Sequence, residues 1–282
     1  MTGDKSAVDD VSAALGWVAG AIGKAVLAVD TAVGDLLERA QAIAASGPGP
    51  APYGGVVLGV DGCRAGWVGV LLEGETATAM VGATIGDLVT AAHLACPELA
   101  VVGIDIPIGL PDAAPRQADV MARTRLPRGR KSSVFPAPSR AAVAATSHPE
   151  ASAANREAVG VGLSVQAFHL VPKILEVDAY VRSPKSWRIV EVHPEVSFAA
   201  MDPACVVLSK RTSAGHQARL DALRGAGVTC PPYVAKQGYG ADDLADACAV
   251  AWSARRVATN LADSLPDPPE TLADGIPAAI WV

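Results

Sequence analysis

Two short apolar runs, each closed by an aspartate, constrain this chain more than any other feature. Val56-Val57-Leu58-Gly59-Val60 leads into Asp61, and Ala100-Val101-Val102-Gly103-Ile104 leads into Asp105. Runs this short and this apolar read as buried strands. Side chains alternate along a strand, so Asp61 shares a face with Gly59 and Val57, and Asp105 shares one with Gly103 and Val101. A glycine directly below each carboxylate leaves room above the sheet for a ligand or for close approach of another segment. Alone, Asp61-Gly62 would be a turn residue bonded to its own loop. Two aspartates in the same arrangement point further. Ionised carboxylates at the ends of adjacent buried strands repel one another unless a cation or a proton holds them, and hard divalent cations take one or two carboxylates plus water and phosphate oxygens.

The rest of the chain supplies a frame for that pair. Gly66 to Leu72 and Thr76 to Val81 read as strands of an antiparallel meander that begins with Val56 to Asp61. Asp87 to Cys96 is helical, Ala100 to Ile106 is the second apolar strand, and Pro107-Ile108-Gly109-Leu110-Pro111 breaks the chain sharply. Arg116 to Arg125 predicts a short helix, and Ser164 to Val181 a longer one with Ser164 as its N-cap. Arg188 to His193 is a third strand ended by Pro194, Asp242 to Asp263 is the last long helix, and the tail after Leu265 reads as proline-rich coil. A meander followed by alternating helices and strands predicts an α/β protein, a mixed sheet with helices on both faces. This main domain runs over 56–282. Residues 46–55, rich in Pro and Gly, read as a linker, and residues 1–45 as a helical extension, with Leu15, Val18, Ile22, Val26, Val29, Val33, Leu36, Ala40 and Ile43 at helical spacing. Val11 to Val29 has Lys24 as its only charge, but it is mostly Ala and Gly and too weakly hydrophobic to predict a membrane span. The stripe suits packing on the main domain or on a partner helix, which makes a homo-oligomer an expectation.

A net charge of −6 over 282 residues excludes the bulk basic surface of a protein that holds nucleic acid by its overall field, so any polyanion site must be local. Five scattered cysteines without a C-x-x-C pair argue against a disulfide framework and a zinc knuckle. With no secretory signal pattern at the start, the cytoplasm is the expected location. Further carboxylates are at hand. Glu191 shares the third strand's face with Ile189 and His193, and Glu195 follows Pro194. Asp242, Asp243 and Asp246 open the last helix; Asp242 can cap it, Asp243 continues the apolar stripe through Ala247, Val250 and Ala254, and Asp246 sits at the stripe's edge. Local positive charge comes from Arg123, Arg125, Arg128, Arg130 and Lys131, followed by Ser132 and Ser133 in a Gly and Pro loop suited to phosphate, with Lys210, Arg211 and Thr212 a weaker candidate. Gln166 and Lys173 face the site or merely support it, and His193 is a proton carrier, a supporting partner or a strand-end histidine.

The stretches "GVDGCRAGW", "GIDIPIGLP", "GRKSSVFPAP", "GVGLSVQAFHLVPKILEVD", "EVHPEVSF" and "DDLADACAVAWSA" resemble, in order from about Val56 to Arg256, the signatures of the family of predicted nucleases called domain of unknown function 429. The resemblance implies a ribonuclease H-like fold more firmly than an activity. One departure is visible: where the family pattern expects R-x-C-D-x-x-A-R, Ala118 stands in place of the cysteine between Arg116 and Asp119.

The chemistry the resemblance implies is phosphodiester hydrolysis with two Mg²⁺ or Mn²⁺ ions roughly 3.5 to 4 Å apart. Asp61 would bridge the ions, Asp105 and Asp243 would hold one each, and Glu191 or Glu195 would complete the set, with Asp246 the alternate helix ligand. Arg128, Arg130, Lys131, Ser132 and Lys210 would contact the nucleic acid. Two other functions stay open: a non-catalytic protein that binds nucleic acid or another partner on the same fold, and an actin-like nucleotide-phosphate enzyme, whose first strand carries G-x-D-x-G. The latter ranks last because Gly62 follows Asp61 immediately and no second glycine-rich phosphate loop is evident.

Overall fold

The computed structural model describes residues 55–282. The helical extension expected over 1–45, and all of the linker except Gly55, lie outside the described residues.

Strands β1 (Val56–Cys63), β2 (Gly66–Glu73) and β3 (Thr76–Gly82) form the expected meander, and helix α1 (Ile85–Ala95) leads into β4 (Leu99–Ile104). Thr84 caps α1, its hydroxyl accepting from the Asp87 amide while the Asp87 carboxylate accepts from the Thr84 amide. Next come α2 (Gln117–Arg125), a 3₁₀ turn (Arg128–Ser133), α3 (Arg140–Val143), α4 (His148–Val159) and α5 (Val165–Val181). Ser164 caps α5 as expected, accepting from the Ala167 amide at 3.1 Å. The chain then runs through β5 (Arg188–Glu191), α6 (Pro194–Met201), α7 (Ser213–Gly225) and α8 (Ala241–Ala258), and ends in β6 (Ser264–Thr271) and β7 (Pro277–Trp281).

All the described strands share one sheet in the order β3-β2-β1-β4-β5-β7-β6. β1, β4 and β5 are parallel neighbours, flanked by the antiparallel meander: the ribonuclease H-like mixed sheet with helices on both faces. On one face Val57, Val101, Val190 and Val192 pack under α8 (Leu244, Ala247, Val250, Ala251). On the other Leu58, Val60, Val102 and Ile104 meet Ile85, Leu88 and Val89 of α1 and Val171, Ile174 and Val177 of α5.

Some expectations need correction. The proline-rich tail is not coil but the β6–β7 hairpin, which adds to the sheet beside β5. β6 is an edge strand, and its pairing with β7 skips from Leu265 to Glu270, so Pro266, Pro268 and Pro269 fall where no ladder hydrogen bond is required of them. The third strand stops at Glu191, and Pro194 opens α6 rather than merely ending a strand, its fixed φ suiting a first helical turn. α8 ends at Ala258, five residues before Asp263.

Candidate functional site

Parallel pairing of β1 with β4 sets Gly59 opposite Gly103 and Val60 opposite Ile104, so Asp61 and Asp105 emerge side by side at the carboxyl ends of neighbouring strands. The Asp105 amide donates to the Val60 carbonyl at 3.0 Å and carries the register one residue past the end of β4. The Asp61 carboxylate accepts from the Gly62 amide at 2.7 Å, as a turn aspartate would. Of the two uses open to the glycines, the structure takes close approach: a Cβ on Gly59 would fall on the Ala251 amide and the Ala247 carbonyl of α8, and one on Gly103 would sit 2.9 Å from Val250 Cγ1. The bare backbone lets α8 lie directly on the sheet, and that contact brings the start of the helix to the two aspartates.

At the start of α8 the geometry reverses the expected preference. Asp243 turns back to accept from the Gly240 amide at 2.7 Å and is occupied as a helix-cap residue. Asp246, one turn on, is the buried one, at 3% exposure. One of its oxygens receives Lys210 Nζ, and the other, Oδ1, is buried without any hydrogen-bond partner. Asp61, Asp105 and Asp246 therefore form the cluster, with Lys210 reaching in from the loop between α6 and α7.

Neither glutamate joins that cluster as a free donor. β5 pairs Glu191 with Ile104, on the sheet face opposite Asp61 and Asp105. There it accepts from Arg116 through both oxygens at 2.7 and 2.8 Å and from the Ile108 amide at 2.7 Å. Arg116 also grips Asp119 and donates to the carbonyls of Ile108 and Gly109, clamping the loop that follows Asp105. Glu195, in the first turn of α6, is held by Arg219 of α7 at 2.8 and 2.9 Å. The arginines were the missed members of the site, because pairs separated by 75 and 24 residues leave no local trace in sequence. Arg116 and Asp119 did show a signal, their place in the R-x-x-D stretch.

Electrostatics follow from this crowding. Burial pushes the Asp61 carboxyl well above its ordinary range, and the charges of Asp105, Asp246 and Asp243 push it the same way. Burial lifts Asp105 to about 7, against the pull of Lys210 and with help from Glu191 and Glu195. Asp246 rises to about 6 through burial, held back by Lys210. Burial opposes the charge on Lys210, but Asp246, Asp61 and Asp105 outweigh it and hold the ammonium protonated. His193 is pushed down by burial. A ring nitrogen, Nε2, lies 3.2 Å from the Ser133 carbonyl, and Nδ1 is buried with no partner.

The cluster lies in a cavity of about 740 Å³ whose lining includes Arg123, Arg130, Ser132, Ser133, Gln166, His193 and Arg211. Arg130 also donates to the Val207 carbonyl at 2.9 Å, tying the 3₁₀ turn to the loop that carries Lys210. Arg128 and Lys131, expected beside them, are not among the lining residues. Lys173 serves the fold: its ammonium donates to the Gly66 carbonyl and sits 4.1 Å above the Trp67 ring. Ala118 is fully buried in the core.

As a donor set the cluster suits a hard cation, since it offers only carboxylate oxygens and one of them is buried and orphaned. Among the described residues, however, no three His, Cys, Asp or Glu side chains are already gathered as a cage for an ion. Lys210 supplies positive charge at this point instead. No helix of the described residues is long and apolar enough to cross a membrane, and all five cysteines are free.

Comparison with curated proteins and with solved structures returned no match. A family model does match, over residues 59–271, a span that takes in both aspartate-ended strands, the Arg116 clamp, Lys210 and α8: the chain belongs to the family described as Protein of unknown function (DUF429).

Proposed function

We propose that this protein is a metal-dependent nuclease of the cytoplasm that hydrolyses phosphodiester bonds at the Asp61, Asp105 and Asp246 cluster. The observation that carries this reading is the convergence of three carboxylates, half-buried Asp61 and Asp105 from two adjacent strand ends and buried Asp246 from a facing helix, in a cavity whose wall also holds Arg123, Arg130 and Arg211. Mg²⁺ or Mn²⁺ held by these carboxylates would supply an activated water and neutralise charge on the leaving oxygen. The chain's own residues do the rest. Arg130, with Ser132, offers donors to a phosphate from one wall, and Arg123 and Arg211 add charge that draws a polyanion into an otherwise acidic molecule. The Arg116 clamp fixes the loop after Asp105, and the Glu195–Arg219 pair fixes the first turn of α6 beneath the cavity.

The test is cleavage of single-stranded and duplex DNA and RNA in Mg²⁺ or Mn²⁺, with chelator and Asp61→Asn as controls. Ion-dependent cleavage that Asp61→Asn reduces by at least about 100-fold supports the assignment; cleavage that survives in the variant refutes it. One observation favours a second reading, a nucleic-acid-binding protein without turnover: Lys210 already neutralises part of the cluster from within. That protein would bind nucleic acid without cutting it, and metal would leave its melting temperature unchanged.

A further inference from the structure

We propose that a second cavity, of about 640 Å³ and walled by the end of α5, strand β5 and the β6–β7 hairpin, binds a small planar aromatic ring that carries an anionic group. The proposal stands apart from the nuclease reading and does not rest on it.

The sheet itself makes the opening. β5 pairs with β7 at a single position, Glu191 opposite Ile280, so residues 188–190 and 277–279 flank a gap instead of closing a ladder. Ile108, Ile189, Val190, Ile276 and Ala279 line that gap with apolar surface, and the volume suits a ligand of ordinary small-molecule size. Part of the wall is braced by charge. Asp274, in the hairpin turn, is held by Arg140 and by Arg182 at 3.0 Å, and Arg182 also reaches Asp178 of α5 at 2.9 Å. The cavity is thus formed before any ligand arrives, which spares the cost of ordering it on binding.

Two features of the lining select the occupant. The first is charge. Glu191 is taken by Arg116, and Asp274 by Arg140 and Arg182, whereas Lys185 and Arg188 have no carboxylate partner among the described residues. The Lys185 ammonium donates to the carbonyls of Tyr180 and Ser183 at 3.1 and 3.0 Å, partners that leave its charge unanswered. Two such cations on one cavity of a molecule with net charge −6 mark a place for an anion. The second feature is flatness. Trp187 and Trp281 both line the cavity; Trp187 packs on the His93 ring at 5.0 Å, and the Arg188 guanidinium lies 4.3 Å over the Trp281 ring. Indole and guanidinium are planar stacking surfaces, so a flat ring gains contacts here that an alkyl chain of equal volume does not. An uncharged ring would leave Lys185 and Arg188 unanswered. An aromatic carboxylate and a nucleoside monophosphate share the required chemistry, and the test separates them.

The experiment is titration calorimetry on the full chain with naphthoate and adenosine monophosphate as probes, and with decanoate and naphthol as controls that lack the ring or the charge. One equivalent of naphthoate or of the nucleotide is expected to bind, quenching tryptophan fluorescence, at least about tenfold more tightly than either control; the tighter of the two probes identifies the source. Arg188→Glu, at an exposed position, is expected to weaken that binding by at least about tenfold, and Lys185→Glu, in the loop after α5, likewise. Binding of neither probe, equal binding of decanoate or naphthol, or binding that survives unchanged in Arg188→Glu overturns the proposal. Should Arg188→Glu fail to fold, Lys185→Glu decides in its place.

Discussion

At the scale of single residues, charge matching separates the acids that hold the fold from those gathered at the cavity. Glu191 and Asp119 are buried with Arg116, whose side chain has no exposure at all. Removing one member of a buried ion network leaves its partners uncompensated, at a cost of about 3–5 kcal/mol. Arg116→Met is therefore expected to lower unfolding stability in urea by that amount; a midpoint within experimental error of the wild type would show that the clamp is not structural. Residue identity in the sequence did not reveal this division. Asp61 and Asp105 were legible because strand alternation and the glycines two residues earlier gave each a direction. Asp243 and Asp246 were not separable by helical periodicity, since both lie near the inward stripe, and only the Gly240 amide, which claims Asp243, decides between them.

At the scale of elements, the contact between α8 and the sheet sets the spacing of the site. Helix and strand approach closely because Gly59 has no side chain, and the atoms that a Cβ would meet are backbone of Ala251 and Ala247, which cannot swing aside. Gly59→Ala is expected to destabilise by about 3 kcal/mol or more, a fall in Tm of roughly 6–12 °C for a domain of this size, and to push Asp246 away from Asp61. Thermal denaturation measures the first effect and Mn²⁺ affinity the second. A variant with wild-type Tm would mean that α8 can lift without loss. The elements of the meander, α1 and α5 were readable from periodicity and caps. The β6–β7 hairpin was hidden because proline counts against a strand by its local chemistry, whereas an edge position with an interrupted ladder tolerates it.

At the scale of the whole molecule, the cluster couples folding to pH. The carboxyls of Asp61, Asp105 and Asp246 all sit above their unfolded values, Asp105 at about 7 and Asp246 at about 6. Between the ordinary carboxylate range and those values the folded protein holds protons that the unfolded chain has released, so stability falls as pH rises. The contribution is fully present below the unfolded carboxylate range and is lost as pH passes through about 7. Without divalent ions, Tm is expected to be lower at pH 7.5 than at pH 5, with Mn²⁺ restoring part of the difference at the higher pH and Asp105→Asn flattening the slope. A Tm that climbs over this interval in the chelated protein would contradict the crowded, mutually repelling arrangement. A net charge of −6 adds self-repulsion at high pH, and Asp105→Asn separates that diffuse effect from the local one.

The sequence by itself determined what local rules can see: the apolar strands, the helices α1, α2, α5 and α8, and the family through motifs spread along the chain, while α3, α4, α6, α7 and the terminal hairpin went unread. It also placed Asp61 and Asp105 at strand ends, because alternation is a property of neighbouring residues. Tertiary structure decided which charges meet. Arg116 finds Glu191, Arg219 finds Glu195, and Lys210 finds Asp246 across loops and layers, and ionic partners chosen by three-dimensional proximity leave no period in the chain. Which acids are spent on the fold, and which remain without a structural partner, is fixed only when those partners come together.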